Sequence, residues 1–186
     1  MARDRVITAA SARRYARRHI FVGAVVLAVV TLAVATYMMV GGSEDSVFVI
    51  PELFTYGYTQ VYVDAGMDSD GSGLITLTAG CSQIRAHVEP AQAESIYMAI
   101  EGIVSPRPNA HDIVADAFDS LGIDVLMVKV TDMQNQTFYG KIILRNGNRV
   151  ASLDARPSDA TAIALRMHVP VYVKTELLEE NGEKIC

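Results

Sequence analysis

The pattern of apolar and polar residues divides the chain into two parts. Residues 20–40 contain no charged side chain, whereas short apolar runs alternate with polar turns from residue 47 onward. As a helix rising about 1.5 Å per residue, an uncharged stretch of 21 residues spans roughly 30 Å, the thickness of a bilayer's hydrocarbon core. The stretch predicts one transmembrane helix over residues 20–40. A secretory signal peptide is the alternative, because Ala33-Val34-Ala35 has the small-x-small spacing of a cleavage site.

After the apolar stretch, the pattern predicts a folded domain of strands and helices. The runs rich in β-branched and aromatic residues, which predict strands, are 47–50, 60–64, 74–78, 82–88, 125–131, 137–144, 149–154 and 171–173. Helical spacing predicts helices over 89–102, 111–121, 158–168 and 176–180. Because strands and helices do not alternate strictly, we expect an α+β domain with a mixed β-sheet and three to four helices. The expected organisation is a basic segment (1–19), the transmembrane helix (20–40), a linker (41–46) and the domain (47–183).

Charge is segregated along the chain. Six of the 16 Lys and Arg residues precede residue 20, but only one of the 21 Asp and Glu residues does. Basic residues remain on the cytoplasmic side of a membrane, which predicts a cytoplasmic N-terminus and an extracytoplasmic domain. Residues 41–186 carry 10 basic and 20 acidic side chains, a net charge of −10. So acidic a domain repels a phosphate backbone at long range, which argues against a non-specific nucleic-acid binder.

The two cysteines, Cys81 and Cys186, do not by themselves fix the redox compartment. Cys186 is the last residue and is expected to be frayed. This argues against a bridge within the chain and leaves a bridge between two chains as an equal alternative.

The densest group of charged residues lies between Asp154 and Arg166, where a predicted strand gives way to a predicted helix. Pro157 suits the first turn of that helix, and the Ala, Ile and Leu residues that follow have helical spacing. An Arg flanked by two Asp at such a junction is either a functional site or a rigid structural clamp.

Five ordered motifs between Ile84 and Gly182 resemble the bifunctional nuclease domain family. The motifs are Glu89-Pro90-Ala91-Gln92-Ala93, Arg107-Pro108-Asn109-Ala110-His111-Asp112, Thr137-Phe138-Tyr139-Gly140-Lys141, the stretch from Asp154 to Leu165, and Pro170-Val171-Tyr172-Val173. The resemblance implies an α+β fold with a mixed sheet, association into dimers or larger homo-oligomers, and activity on DNA and RNA. It supplies no catalytic set. The apolar N-terminal stretch is a departure from the family, whose domain is more usual in soluble proteins.

Phosphodiester hydrolysis needs an activated water and stabilisation of charge on the phosphoryl oxygens, often with a divalent metal. The candidate catalytic residues are His111, Asp112, Asp154, Arg156 and Asp159. His111 is a candidate general base or metal ligand, and Arg156 is a candidate phosphate-binding group. The carboxylates of Asp112, Asp154 and Asp159 are candidate ligands for Mg or Mn.

Each of these residues also has a structural interpretation. Asp112 and Asp159 occupy positions where a carboxylate stabilises a helix N-terminus. Arg156 could tie Asp154 or Asp112 to the helix start as a buried bidentate pair, and His111 could be a structural hydrogen-bonding residue. Arg166 is expected to be solvated.

Two functions follow. The first is a membrane-anchored nuclease that hydrolyses phosphodiester bonds of DNA and RNA. The second is a non-catalytic binding or assembly module of the same fold. The acidic charge and the predicted topology favour the module, whereas the density of motifs favours the nuclease.

Overall fold

The computed structural model describes residues 24–36 and 50–186, which fall into two compact units divided between Val49 and Ile50. In the first unit, residues 24–36 form helix α1. The hydroxyls of Thr31 and Thr36 each donate to carbonyls three and four residues earlier, so these polar groups are bonded within their own helix. Neither described range contains a helix long and apolar enough to cross a membrane. Residues 20–23 and 37–40 of the predicted span lie outside the described residues.

The second unit, Ile50–Cys186, is an α+β domain with two sheets. Its strands are β1 (Tyr58–Gln60), β2 (Tyr62–Met67), β3 (Gly73–Ala79), β4 (Ser82–Val88), β5 (Asp124–Gln134), β6 (Thr137–Asn146), β7 (Arg149–Ala155), β8 (Val171–Lys174) and β9 (Glu183–Lys184). Its helices are a 3₁₀ turn (Pro51–Leu53), α2 (Pro90–Ile100), α3 (Ala110–Ser120), α4 (Pro157–Arg166) and α5 (Thr175–Asn181).

The strands form two sheets, where the sequence predicted one mixed sheet. The five-stranded sheet has the order β1-β8-β5-β6-β7 and is mixed, because only β5 and β8 pair in parallel. The four-stranded sheet has the order β2-β3-β4-β9 and is antiparallel. The strand predicted over 60–64 is divided at Val61, which is buried and donates its N–H to the Val171 carbonyl at 3.0 Å. An apolar pattern shows that a segment is extended, but it does not show that the strand changes sheets.

Helix α4 lies at the centre of the domain and packs on α2, α3, β5 and β6. Ala160, Ala162 and Ala164 are fully buried along it, and their small side chains allow these elements to approach closely. Pro157 occupies the first turn of α4, where its missing N–H removes no helical hydrogen bond. A Cβ on Gly140 of β6 would lie 3.2 Å from the Pro157 ring, so the glycine lets β6 pass close to the helix start.

The C-terminus is tied to the four-stranded sheet, contrary to the expectation that Cys186 is frayed. Strand β9 pairs with β4, and Ile185 donates its N–H to the Cys81 carbonyl at 3.0 Å. This pairing places Cys186 beside Cys81, and the two cysteines form a disulfide within the chain. The bridge closes a loop of 105 residues.

Candidate active site between α2, α3 and α4

The start of α3 is held by a reciprocal cap. The Asn109 side chain accepts from the backbone N–H groups of His111 (2.8 Å) and Asp112 (3.1 Å). In return, Asp112 Oδ2 accepts from the backbone N–H of Asn109 at 2.8 Å. This capping box confirms the structural role predicted for Asp112, and it fixes the direction in which the His111 side chain leaves the helix.

A chain of hydrogen bonds joins Ser95 of α2, His111 of α3 and Asp159 of α4. His111 Nδ1 lies 2.9 Å from Ser95 Oγ, and His111 Nε2 lies 3.3 Å from Asp159 Oδ1. Asn109 and Arg166 each donate to Ser95 Oγ at 3.1 Å, so the serine has only its own proton left to share. Ser95 therefore donates to Nδ1, which leaves the N–H at Nε2 of His111 to donate to Asp159.

The carboxylate of Asp159 is only partly used by the protein. Its Oδ1 accepts from His111 and also from Gln92 Nε2 at 2.9 Å. Its Oδ2 has no partner among the described residues, and 37% of the Asp159 side chain is exposed. One oxygen of Asp159 is thus held in place while the other is available to solvent.

Arg166 is the cation of this group, although the sequence predicted that it is solvated. Its side chain is only 11% exposed, and its Nε donates to Asp112 Oδ1 at 2.5 Å. Its terminal nitrogens donate to the Ser95 carbonyl (3.2 Å), to Ser95 Oγ (3.1 Å) and to the Ala162 carbonyl (2.8 Å). Asp159 and Arg166 are seven residues apart, so they lie on one face of α4, towards α2 and α3.

The Asp112 carboxylate is held in its ionised form. Burial alone would raise its pKa, but the hydrogen bond from Arg166, the backbone bond from Asn109 and the charge of Arg166 outweigh burial. The pKa of Asp112 therefore lies below its ordinary value of 3.8.

The structure brings together three of the five predicted site residues, His111, Asp112 and Asp159, and leaves two elsewhere. Asp154 is exposed on β7, where it is the register partner of Lys141 on β6. Arg156 is exposed at the start of α4 and lines a separate cavity. The salt bridge proposed between Arg156 and Asp112 or Asp154 is absent from the described residues, because Arg166 occupies the position beside Asp112.

A metal site built on Asp112, Asp154 and Asp159 is not formed by the described residues. No group of three or more His, Cys, Asp or Glu side chains among them is placed to hold a metal ion. Asp112 is bound to Arg166, and Asp159 is bound to Gln92 and His111. These donors therefore do not fit a protein-held Mg or Mn ion.

Three residues of the network, Gln92, Ser95 and Arg166, were not among the site residues predicted from the sequence. Gln92 and Ser95 are three residues apart on α2 and interrupt its apolar face, which marks them as candidates for buried polar contacts. The sequence interpretation also missed Lys129, which is 4% exposed and donates from Nζ to the carbonyls of Glu52 (2.7 Å) and Phe54 (2.6 Å). Burial lowers the pKa of Lys129, against a smaller opposing effect of Glu52.

Comparison with known proteins agrees with the motifs. The family model described as the bifunctional nuclease domain matches residues 77–185, more than half of the chain. An uncharacterized protein of Mycobacterium tuberculosis is 38% identical over 92 residues, covering 50% of this chain and 54% of that protein. Bifunctional nuclease 1 of Oryza sativa subsp. indica is 33% identical over 90 residues, covering 47% of this chain and 27% of that protein. Bifunctional nuclease 1 of Arabidopsis thaliana is 29% identical over 90 residues, covering 47% of this chain and 28% of that protein.

The chain thus spans about half the length of the bacterial relative and about a quarter of the plant relatives. The matched residues, 77–185, include all of α2, α3 and α4 and hence the whole Ser95–His111–Asp159 group. The chain belongs to the bifunctional nuclease domain family.

Proposed function

We propose that this chain is a nuclease that hydrolyses phosphodiester bonds of DNA and RNA, with Asp159 as the general base and His111 as the residue that positions it. The observation that carries the proposal is the half-open carboxylate of Asp159, held on one side by His111 and free on the other. Family membership and the names of the plant relatives, which are called bifunctional nucleases, support the reaction class.

The reaction follows from the proton positions. A water at Asp159 Oδ2 gives its proton to that oxygen as the water oxygen attacks phosphorus. The N–H of His111 and the amide of Gln92 hold Oδ1, which fixes the carboxylate for proton transfer. The bond from phosphorus to the leaving oxygen breaks, and that oxygen takes a proton from solvent. Ser95 is a positioning residue, because it sets the tautomer of His111 and is itself 4% exposed.

The phosphate needs a cation, and the group around Asp159 does not supply a free one. Arg166 is bound to Asp112 and to carbonyls, so it is not available. Arg107 lies four residues before His111 in the same motif, is exposed, and takes part in none of the ion pairs between described residues. We assign it the phosphate-binding role. The donors do not fit a metal ion, so no step of the reaction is derived through one.

The test is cleavage of single-stranded DNA and RNA by the full chain in a neutral detergent, with EDTA and with added Mg or Mn. Asp159→Asn keeps an oxygen for Gln92 and His111 but removes the base, and we expect cleavage to fall about 100-fold or more. Asp116→Asn, an exposed carboxylate on α3, is the matched control. Cleavage by the wild type only with added metal, or equal rates for the two variants, would contradict the proposed site.

The second candidate is a non-catalytic binding or assembly module. The observation that favours it is the extent to which the polar groups between α2, α3 and α4 bind one another, as a clamp between helices does. In that case the wild type shows no cleavage under any of these conditions, while loss of Asp112 still destabilises the fold.

We also propose that residues 20–40 anchor the chain in a membrane with the domain outside the cytoplasm. The uncharged stretch and the six preceding arginines support this topology, and so does the disulfide, because structural disulfides persist in oxidising compartments. Protease treatment of intact cells should remove the domain. A domain left intact by the protease, yet degraded once the cells are opened, would place it on the cytoplasmic side.

A further inference from the structure

A cavity opens at the N-terminus of α4, and neither His111 nor Asp159 is among the residues that line it. Its volume is about 290 Å³, and it lies between strands β3 and β4, the β5–β6 hairpin and the first turn of α4. Most of its lining is aliphatic or aromatic, including Ile75, Leu77, Ile84, Val130 and Phe138. Its polar groups come from His87, Gln136, Thr137 and the start of α4.

Two buried hydroxyls in this cavity have no hydrogen-bond partner in the part of the chain that the structure describes. Ser158 is 8% exposed and Thr161 is 2% exposed, and neither hydroxyl makes a hydrogen bond among the described residues. Among all the described residues, Ser152 Oγ is the one side-chain polar atom that is both sealed from solvent and without a hydrogen-bond partner. The Ser158 and Thr161 hydroxyls are therefore not sealed, and they open onto the cavity that their residues line. Because the protein leaves both hydroxyls unused, they can donate to or accept from the polar atoms of a ligand in the cavity.

The charge at this end of the cavity is positive. No side chain caps α4, and the N–H groups of Ser158 and Asp159 have no acceptor among the described residues. Arg156 lines the same cavity and takes part in none of the ion pairs between described residues. The lining contains no Asp or Glu, although residues 41–186 carry 20 of them. Helix N–H groups and a free guanidinium together favour an anion.

We propose that this cavity binds a small amphipathic anion, with a carboxylate at Arg156 and the start of α4 and an apolar body among the strands. A volume of this size is at the small end of ligand cavities, so the ligand has on the order of ten non-hydrogen atoms. A nucleobase fits less well, because it carries polar atoms around its ring whereas most of the residues that line the cavity are apolar. The site is separate from the proposed reaction and does not depend on it.

The test uses fluorine NMR to follow a fluorinated phenylpropanoate binding to the full chain in neutral detergent. The neutral phenylpropanamide is the matched ligand, and we expect a Kd on the order of 1 mM for the acid. Arg156→Gln should weaken binding of the acid about tenfold and leave the amide unchanged. Arg149→Gln, which removes an exposed arginine from β7, should leave both unchanged.

Two further variants examine the interior of the site. Thr161→Val replaces the hydroxyl by a methyl group of the same size and should weaken the acid about threefold. Ala86→Leu fills the cavity and should abolish binding of acid and amide together. Equal affinity for acid and amide, equal binding by wild type and Arg156→Gln, binding that survives Ala86→Leu, or no binding to the wild type would each overturn the proposal.

Discussion

Helix α4 separates two regions that differ in how far their polar groups are hydrogen-bonded within the protein. Towards α2 and α3, Asp159 and Arg166 take part in a network in which nearly every donor and acceptor has a partner. Towards the sheets, Ser158 and Thr161 line a cavity of about 290 Å³, and their hydroxyls have no partner within residues 24–36 and 50–186. Bonded groups stabilise the fold, whereas unpartnered ones are available to a ligand.

Within the network itself, the residues that stabilise the fold differ from the residue that is available for chemistry. Asp112, Ser95 and Arg166 bond to groups on neighbouring elements, so they hold the helices together. Asp159 is the exception, because one of its oxygens has no partner among the described residues. The proposed chemistry therefore depends on one group of a region that otherwise serves stability.

The largest expected effect on stability comes from removing Asp112. Asp112→Ala takes away half of the α3 cap and leaves the Arg166 guanidinium, 11% exposed, without its carboxylate. We expect the free energy of unfolding to fall by about 3 kcal/mol. Urea unfolding of the full chain, followed by tyrosine fluorescence, measures it. Asp116→Ala on the same helix should change it by less than about 0.5 kcal/mol. A loss for Asp112→Ala no larger than that of the control would show that the network does not join the helices.

The next largest effect on stability comes from replacing a serine by alanine on each side of α4. Ser95→Ala removes a hydroxyl that bonds three partners and should cost about 2 kcal/mol of unfolding free energy. Ser158→Ala removes a hydroxyl with no partner among the described residues and should cost about 0 kcal/mol or stabilise slightly. Equal losses for the two serines would remove the contrast between the regions.

The smallest effect is on the pH dependence of stability. The pKa of Asp112 is lowered in the folded chain, so its ionised form contributes stability above the ordinary value of 3.8. That contribution is lost as the pH falls through the lower folded pKa. We expect Asp112→Asn to unfold with a shallower dependence on pH below about 4 than the wild type. Parallel pH profiles for the two proteins would show that Arg166 does not hold this carboxylate ionised.

Local elements could be predicted from the sequence because their signals are local. Asn109 and Asp112 have the spacing of a capping box, and Gly147 forms the tight turn between β6 and β7 with φ of 57°. The predicted strand 82–88 and the structure's β4 coincide. These features depend on residues a few positions apart.

The site could be predicted only in part, because its contacts join distant segments. The sequence suggested His111 and Asp159 as site residues, and the structure places them together. Their contacts to the rest of the network were missed, because Ser95 lies 16 residues before His111 and Arg166 lies 71 residues after Ser95. Two arginines follow Asp154, and sequence alone does not show which one meets Asp112. The division of the strands into two sheets was missed for the same reason, since pairing partners are not encoded locally.

The role of Asp159 as the general base is tested by the rate at which Asp159→Asn cleaves single-stranded RNA, relative to wild type and to Asp116→Asn. All three proteins are measured in EDTA at one pH, after urea unfolding has shown equal fractions folded. The account predicts that Asp159→Asn is slower by about 100-fold or more and that Asp116→Asn matches the wild type. An Asp159→Asn variant that is folded and as fast as the wild type would contradict the assignment of Asp159 as the base.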